Sequence, residues 1–312
     1  MPNQIRALSL LQGLSGCLWN RFRQTGNQQD LDWTIALLRL SFDTCPHDSP
    51  SRWELLEDLA KSRTMRYERW KRSEDLDRAI VLWRDVVALC PQTHEDRRKS
   101  LTGLAVSLWM RFQLQGKLED LNEAIELERS VVSLLSGGNP SRPALVEFLA
   151  VSLGARFERF GDAGDLEESI MLLRAVFSSD LEGHPVRAST LNNLASSLGT
   201  RFEQSGHMDD LDEAIRLHRE ALSLRPIGNP DRSMSLNNLG NGVQTRFGQT
   251  GNMADLEEGV HLHREALSLR PIGHPDRSTS LNNLANGVLT RFRQKGNMDD
   301  LEEAVSLYRE AL

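Results

Sequence analysis

Apolar residues recur along this chain in two alternating helical phases. Leu191, Leu194, Ala195, Leu198 and Phe202 stand at i, i+3, i+4, i+7 and i+11, and Leu211, Ala214, Ile215, His218, Ala221 and Leu222 form a second such set. Each set lies on one face of a 3.6-residue helix. Between them stands Gly206, and the same column holds Gly26, Gly116, Gly161, Gly251 and Gly296, with Lys71 in the remaining place. A glycine there predicts a helix that stops in a left-handed turn. The second helix is predicted to end before Arg225-Pro226. Pro230 and Asp231 suit the first turn of the next helix, where a missing N–H costs nothing and a negative charge complements the dipole.

The pattern is periodic. Arg-Phe occurs at Arg21, Arg111, Arg156, Arg201, Arg246 and Arg291, with Arg66-Tyr67 in the open slot, so every step is 45 residues over seven copies. Asp-Leu follows nine positions after each of these arginines, from Asp30 to Asp300, and a second arginine column runs from Arg39 to Arg309. The N-terminal stretch, which has the look of a short signal peptide, keeps the same register: Leu11, Leu14 and Leu18 fall in the columns of Leu191, Leu194 and Leu198. The array is therefore expected to begin almost at Met1. Neither helix of a unit buries its face alone, so the units must stack. This predicts an all-α, right-handed α-α superhelix of seven 45-residue helix-turn-helix repeats, one domain over 1–312 with units near 7–51, 52–96, 97–141, 142–186, 187–231, 232–276 and 277–312. Residues 217–261 and 262–306 agree at 36 of 45 positions, which points to recent unit duplication.

Ala214, Ala221 and Pro226, with Leu194-Ala195 on the first helix, resemble the tetratricopeptide (TPR) repeat, whose usual unit is about 34 residues. The longer unit here takes seven extra residues between Ala195 and Ala214, about two helical turns, and four in the loop before Leu236. Leu-Asn-Asn-Leu-Ala at Leu191–Ala195 and Leu281–Ala285 resembles kinesin-light-chain-type repeats. The wording of Ala214–Pro226 and Gly228–Arg232 resembles the arrays of mushroom-type fungal proteins that carry a caspase-like CHAT domain after the repeats. The resemblance implies a protein-interaction fold and, in that family, first helices that line a concave groove in which asparagines hold peptides. The second unit departs from the pattern, with Arg63 in a leucine column and Lys71 in the glycine column. The chain stops at Leu312, inside its last helix and without a polar cap, so a longer natural product is expected. Otherwise the bare helix leaves a route to end-to-end self-association.

Columns alike in every copy serve stacking, and the column from Leu14 through Leu59, Leu104, Leu149, Leu194 and Leu239 to Leu284 is expected to be core. The arginine and aspartate columns read as an ion-pair ladder between neighbouring units, each exposed pair worth ~0–1 kcal/mol, rather than as a site for an acidic or phosphorylated partner. Columns that vary are better candidates for specificity. Beside the apolar face of the first helices stand Asn193, Ser196 and Thr200, then Asn238, Asn241 and Thr245, then Asn283, Asn286 and Thr290. Asparagine is a poor mid-helix residue, yet it donates and accepts at once. Asn193, Asn238, Asn241, Asn283 and Asn286 therefore form a candidate peptide-binding ladder, the alternative being that they bridge adjacent helices. Earlier in the chain the same stripe reads Gly103, Val106, Met110 and then Phe148, Val151, Ala155. Val106, Met110, Phe148 and Val151 are a candidate apolar partner patch, unless tight packing of the first helices buries them.

Composition narrows the classes. Lys and Arg number 37 against 44 Asp and Glu, a net charge of −7 that argues against nucleic acid as a partner. Three cysteines without a CxxC pair indicate a reducing, cytoplasmic setting, and no apolar run suits a membrane span. His261 and His263 stand two apart and point to different sides of a helix, while His218 and His263 share a packing column. All six tryptophans precede residue 110 and are expected mostly to pack. Lys61, Arg63, Arg66, Arg69, Lys71 and Arg72 are expected to form a solvated basic face. No constellation for catalysis, metal or cofactor emerges. The expected function is a non-catalytic scaffold for peptide or protein partners, or else the regulatory arm of a longer protein whose CHAT protease or NTPase switch lies beyond Leu312.

Overall fold

Helices form where the two-phase pattern puts them. The computed structural model describes residues 2–47, 49, 52–91, 94, 96–136, 138–178 and 186–312. Among them are fourteen helices and no strand. The first helices of the repeats are α1 (Pro2–Thr25), α3 (Arg52–Trp70), α5 (Arg97–Gln115), α7 (Arg142–Phe160), α9 (Arg187–Ser205), α11 (Arg232–Thr250) and α13 (Arg277–Lys295). Their partners are α2 (Gln28–Thr44), α4 (Ser73–Leu89), α6 (Leu118–Ser133), α8 (Ala163–Ser178), α10 (Met208–Ser223), α12 (Met253–Ser268) and α14 (Met298–Ala311). Successive pairs pack as in a TPR solenoid. The chain divides into two compact units, Met1–Leu145 and Val146–Leu312, the division falling in the first turn of α7.

Each first helix stops where its glycine column demands. Gly206 turns at φ 72°, and its N–H donates to the Phe202 carbonyl at 2.7 Å. Lys71 adopts the same left-handed turn at φ 54°, its N–H bonded to the Tyr67 carbonyl at 2.7 Å. The fold keeps that turn even where no glycine supplies it. Helix α11 starts at Arg232, so Pro230 and Asp231 lie just before the first turn rather than in it, and Asp231 makes no side-chain cap.

The core is a string of clusters, each shared by neighbouring pairs. In the first unit, one joins Phe22, Leu31, Ile35 and Leu59, and the next joins Trp53, Leu76, Ile80, Trp83 and Leu108. In the second unit, Leu191, Leu194 and Leu198 pack with Leu173 and Leu217, and Leu239 and Val243 with Ile215 and Leu262. The leucine column is buried from Leu59 to Leu284, but Leu14 is 52% exposed, against the core role expected of it. Among the described residues no helix precedes α1, so Leu14 has no neighbour on that side. A leucine deeper in the column, such as Leu194, would cost ~2–5 kcal/mol on truncation to alanine.

The second unit of the pattern also departs from expectation at Arg63. It is buried rather than part of a solvated basic face, and its Nη1 donates to Asp75 Oδ1 at 2.7 Å. Asp75 takes Arg66 as well, through Nε at 2.7 Å and Nη2 at 2.5 Å. Two guanidiniums hold this carboxyl below its ordinary range against a desolvation that pushes the other way. Lys61, Arg69, Lys71 and Arg72 are exposed. Of the tryptophans, Trp53 and Trp83 are buried and Trp33 is exposed.

Candidate functional site

The arginine columns fix how one helix pair sits on the next. Arg201 Nε and Nη2 reach Asp210 Oδ2 and Oδ1 at 2.9 and 2.6 Å, a bidentate clasp within one repeat, while Nη1 reaches Glu167 Oε2 at 3.2 Å in the preceding repeat. The pattern recurs at Arg246 with Asp255 and Asp212, and at Arg291 with Asp300 and Glu257. In the first unit it recurs at Arg111 with Asp120 and Asp77. The second column spans repeats the other way, as in Arg219 to Glu258 at 2.8 Å and Arg174 to Glu213 at 2.8 Å. The ladder is therefore as read from the sequence, except that its aspartates are buried and clasped inside the repeat rather than exposed between repeats.

A further arginine column, not singled out in the sequence, closes the second helices. Arg52 Nη1 donates to the Cys45 carbonyl at 2.7 Å, Arg97 Nη1 to the Cys90 carbonyl at 2.9 Å, and Arg232 Nη1 to the Arg225 carbonyl at 2.8 Å. These are carbonyls at the C-terminal end of the preceding helix, where a cation is favoured. The signal was legible as an arginine at the start of each first helix from α3 to α13, 45 residues apart.

The asparagine stripe separates into two columns. The inner one bridges helices: Asn193 Nδ2 donates to Glu147 Oε1 at 2.9 Å, and Asn238 Nδ2 to Asn192 Oδ1 at 3.1 Å. Glu147 also accepts from the Ser189 and Thr190 hydroxyls at 3.1 and 3.0 Å, and its burial raises the carboxyl pKa. Asn283, in the same column, is half-buried and makes no side-chain hydrogen bond among the described residues. The outer column faces solvent. Asn241 is exposed and without a hydrogen-bond partner among the described residues, and exposed Asn286 accepts from the Tyr308 hydroxyl at 2.6 Å.

Between α9 and α11 these columns open onto a cleft of about 190 Å³. Ser196, Thr200, Asn238, Asn241 and Thr245 form its walls, and His218 from α10 lies at its base. His218 is 5% exposed, and burial lowers its pKa to about 4, so the ring is neutral near pH 7. Its Nδ1 has no hydrogen-bond partner among the described residues. His218 and His263 were expected as packing residues and are buried as such; what the sequence did not show is that the first of them borders open space. A related cleft of about 200 Å³ lies between α1 and α3, with Leu38 in the place of His218 and Asp58 and Lys61 at the asparagine positions.

In the apolar half of the stripe, Val106 and Met110 are half-buried in the first unit, and Met110 packs against the core cluster of α3 to α6. Phe148 and Val151 are half-buried in the second unit. Gly103, where other copies carry asparagine, lies against the Trp83 indole, which occupies the space a Cβ would need. Among the described residues no group of three or more His, Cys, Asp or Glu could hold a metal ion, and no helix is long and apolar enough to cross a membrane.

Residues 187–231 and 277–312 match the family model described as tetratricopeptide repeat. No curated protein matches the chain in sequence. Among solved structures, a variant of a Podospora anserina putative kinesin light chain with nearly identical TPR-like repeats is 23% identical. It has a TM-score of 0.51, over 72% of this chain and 97% of that one. BtubC (BKLC) from P. vanneervenii is 19% identical with a TM-score of 0.54, over 76% and 89%. The Cut9–Hcn1 hetero-tetramer of APC/C gives 14% identity and a TM-score of 0.53, over 97% and 52%. At these identities the likeness concerns the fold. Residues 187–231 and 277–312 thus match tetratricopeptide repeats, and the helix pairs are packed as in the solenoids those repeats build.

Proposed function

We propose that this chain is a non-catalytic interaction scaffold that holds peptide or protein partners along the face of its first helices, with Asn193, Asn238, Asn241, Asn283 and Asn286 as its polar ladder. The observation that carries this reading is the α9–α11 cleft, where Thr200, Asn241 and Thr245 make no side-chain hydrogen bond among the described residues. Asn241 is the clearest case, exposed and without an internal partner among the described residues. The tetratricopeptide fold supports the reading too, since the Cut9–Hcn1 structure is a protein–protein assembly with the same helix-pair packing. The stripe divides the labour: Asn193 and Asn238 set the spacing of adjacent first helices, while outer-column Asn241 and Asn286, with inner-column Asn283, meet the partner.

The test is a peptide array probed with purified wild-type protein and with Asn241→Ala and Asn283→Ala. Each missing hydrogen bond to an extended backbone is expected to weaken binding by roughly 0.5–1.5 kcal/mol, several-fold in Kd, with melting unchanged. Retention of the same peptides with the same affinity by both variants would remove the ladder, and an array that retains none would remove the scaffold reading.

A further inference from the structure

The cleft between α1 and α3 takes the place of the α9–α11 cleft with different chemistry. Trp19 stands in the column of Gly199, and Asp58 and Lys61 stand in those of Asn238 and Asn241. Trp19 and Leu38 line the space of about 200 Å³ with apolar surface, and Asp58 and Lys61 bring the charge. Its hydroxyls already donate to carbonyls of their own helices: Ser15 to Gln12 at 2.9 Å, Thr34 to Asp30 at 2.7 Å and Ser62 to Asp58 at 2.8 Å. Lys61 Nζ lies 2.6 Å from Glu57 Oε1 and 4.0 Å from Asp58 Oδ1, so buried Glu57 holds the ammonium to its own side. The Asp58 side chain is 61% exposed and accepts no hydrogen bond among the described residues, which leaves its carboxylate within reach of a ligand. Glu57 and Glu54 act on it as like charges and Lys61 as the opposite one, so three carboxylates stand against one ammonium. Trp19 is half-buried against the cluster of Phe22, Leu31 and Ile35, its ring centroid 5.9 Å from that of Phe22, and its remaining surface borders the cleft.

The chemistry of the walls selects the group that fits. An anion is repelled by the surplus of carboxylates. A purely apolar group would take water from Asp58 and return no hydrogen bond, which costs free energy. A cation meets the free carboxylate, and one with a flat face also stacks on the indole. A guanidinium does both, because its edge donates two parallel N–H groups to a carboxylate while its plane lies against an aromatic ring. An ammonium is more strongly hydrated and has no plane to stack. We propose that the α1–α3 cleft is a subsite for the guanidinium of an arginine side chain in a bound peptide. The proposal rests on reading the face of the first helices as the peptide-binding one and names what one pocket of it takes.

The experiment follows the indole N–H of Trp19 by NMR in the full chain, assigned by its loss in Trp19→Phe, during titration with N-acetyl-arginine N-methylamide. The citrulline analogue, of the same shape without the charge, and the glutamate analogue serve as comparisons. The arginine compound is expected to shift the Trp19 resonance saturably, with both analogues weaker by about tenfold or more. Asp58→Asn keeps the shape of the wall and removes its charge, and it is expected to weaken the arginine response to the level of citrulline. Asp58 is exposed, and unchanged helicity and melting check that the variant is folded. Equal responses to arginine and citrulline, no saturable shift at Trp19, or an undiminished response in folded Asp58→Asn would each overturn the subsite. Wild type and Asp58→Asn retaining the same arginine-containing peptides with the same affinity on an array would also overturn it and leave the scaffold standing. An array that retains no peptide with either protein overturns the scaffold, and the titration still decides the chemistry of the cleft.

Discussion

Histidine stands at 218 and 263 in a column that elsewhere holds Leu38, Trp83, Glu128, Leu173 and Tyr308. Burial alone lowers each ring from an ordinary 6.5 to about 4. Above pH 6.5 both folded and unfolded chains carry these rings neutral, and their contribution to stability is fully present. Between pH 6.5 and about 4 the unfolded chain binds protons that the folded one refuses, so stability falls with acid. The loss amounts to as much as ~3 kcal/mol per ring. Asp75 and Asp300, whose carboxyls are held below the ordinary 3.8, lose their stabilisation only under more acidic conditions and occupy a separate window. His218→Leu with His263→Leu should therefore flatten the stability curve between about pH 7 and pH 5 in urea titrations, and an unchanged slope would contradict the assignment. At this scale the sequence showed that both histidines pack, because their column is apolar in most other copies. It did not show which ring nitrogen finds a partner, because that depends on where a neighbouring asparagine turns: Asn237 meets His263, whereas Asn192 accepts from Asn238.

The elements were legible almost to the residue, because the glycine column and the two apolar phases repeat without insertion. What escaped was how side chains from one helix occupy gaps in another. Gly199 and Gly240 illustrate this, both in first helices and near the same turn of the repeat. A Cβ on Gly199 meets nothing within 4 Å, whereas one on Gly240 would stand 2.6 Å from His263 Cε1. Gly199→Ala should raise stability by about 0.5–1 kcal/mol, the ordinary helix preference for alanine. Gly240→Ala should lower it by ~1–3 kcal/mol through overpacking, although alanine is the residue of that column in most other copies. Paired thermal melts check the opposite signs. Restoration of Gly240→Ala by His263→Leu would trace the penalty to that one contact. The asparagine stripe has the same lesson: its inner column turned inward because Glu147 and Asn192 on neighbouring first helices were there to receive it.

For the molecule, a strict 45-residue period gives ion pairs between repeats a counterpart one repeat along, as at Arg201–Glu167, Arg246–Asp212 and Arg291–Glu257. Removing residues 242–286 joins α11 to α13 in phase within one first helix. Arg219, now paired with Glu258, would then meet Glu303, and Arg291 would meet Asp212 in place of Glu257. Asn238 would keep Asn192, and the leucine column would pass from Leu194 to Leu239 without a break. Removing residues 242–281 joins the same helices five positions out of phase, which turns the apolar face of the lower half by roughly 140°. In a fold stabilised by nearest-neighbour interfaces, the first deletion takes away one interface and preserves the rest, whereas the second mismatches every ion pair and apolar contact at the junction. The in-phase deletion is expected to melt cooperatively with helicity reduced in proportion to its length. The out-of-phase deletion, though it leaves a longer chain, should lose both helicity and cooperativity. Circular dichroism melts of the two proteins separate the outcomes. Equal loss in both would mean that stability depends on particular repeats, and that the period in the sequence records duplication without interchangeable interfaces.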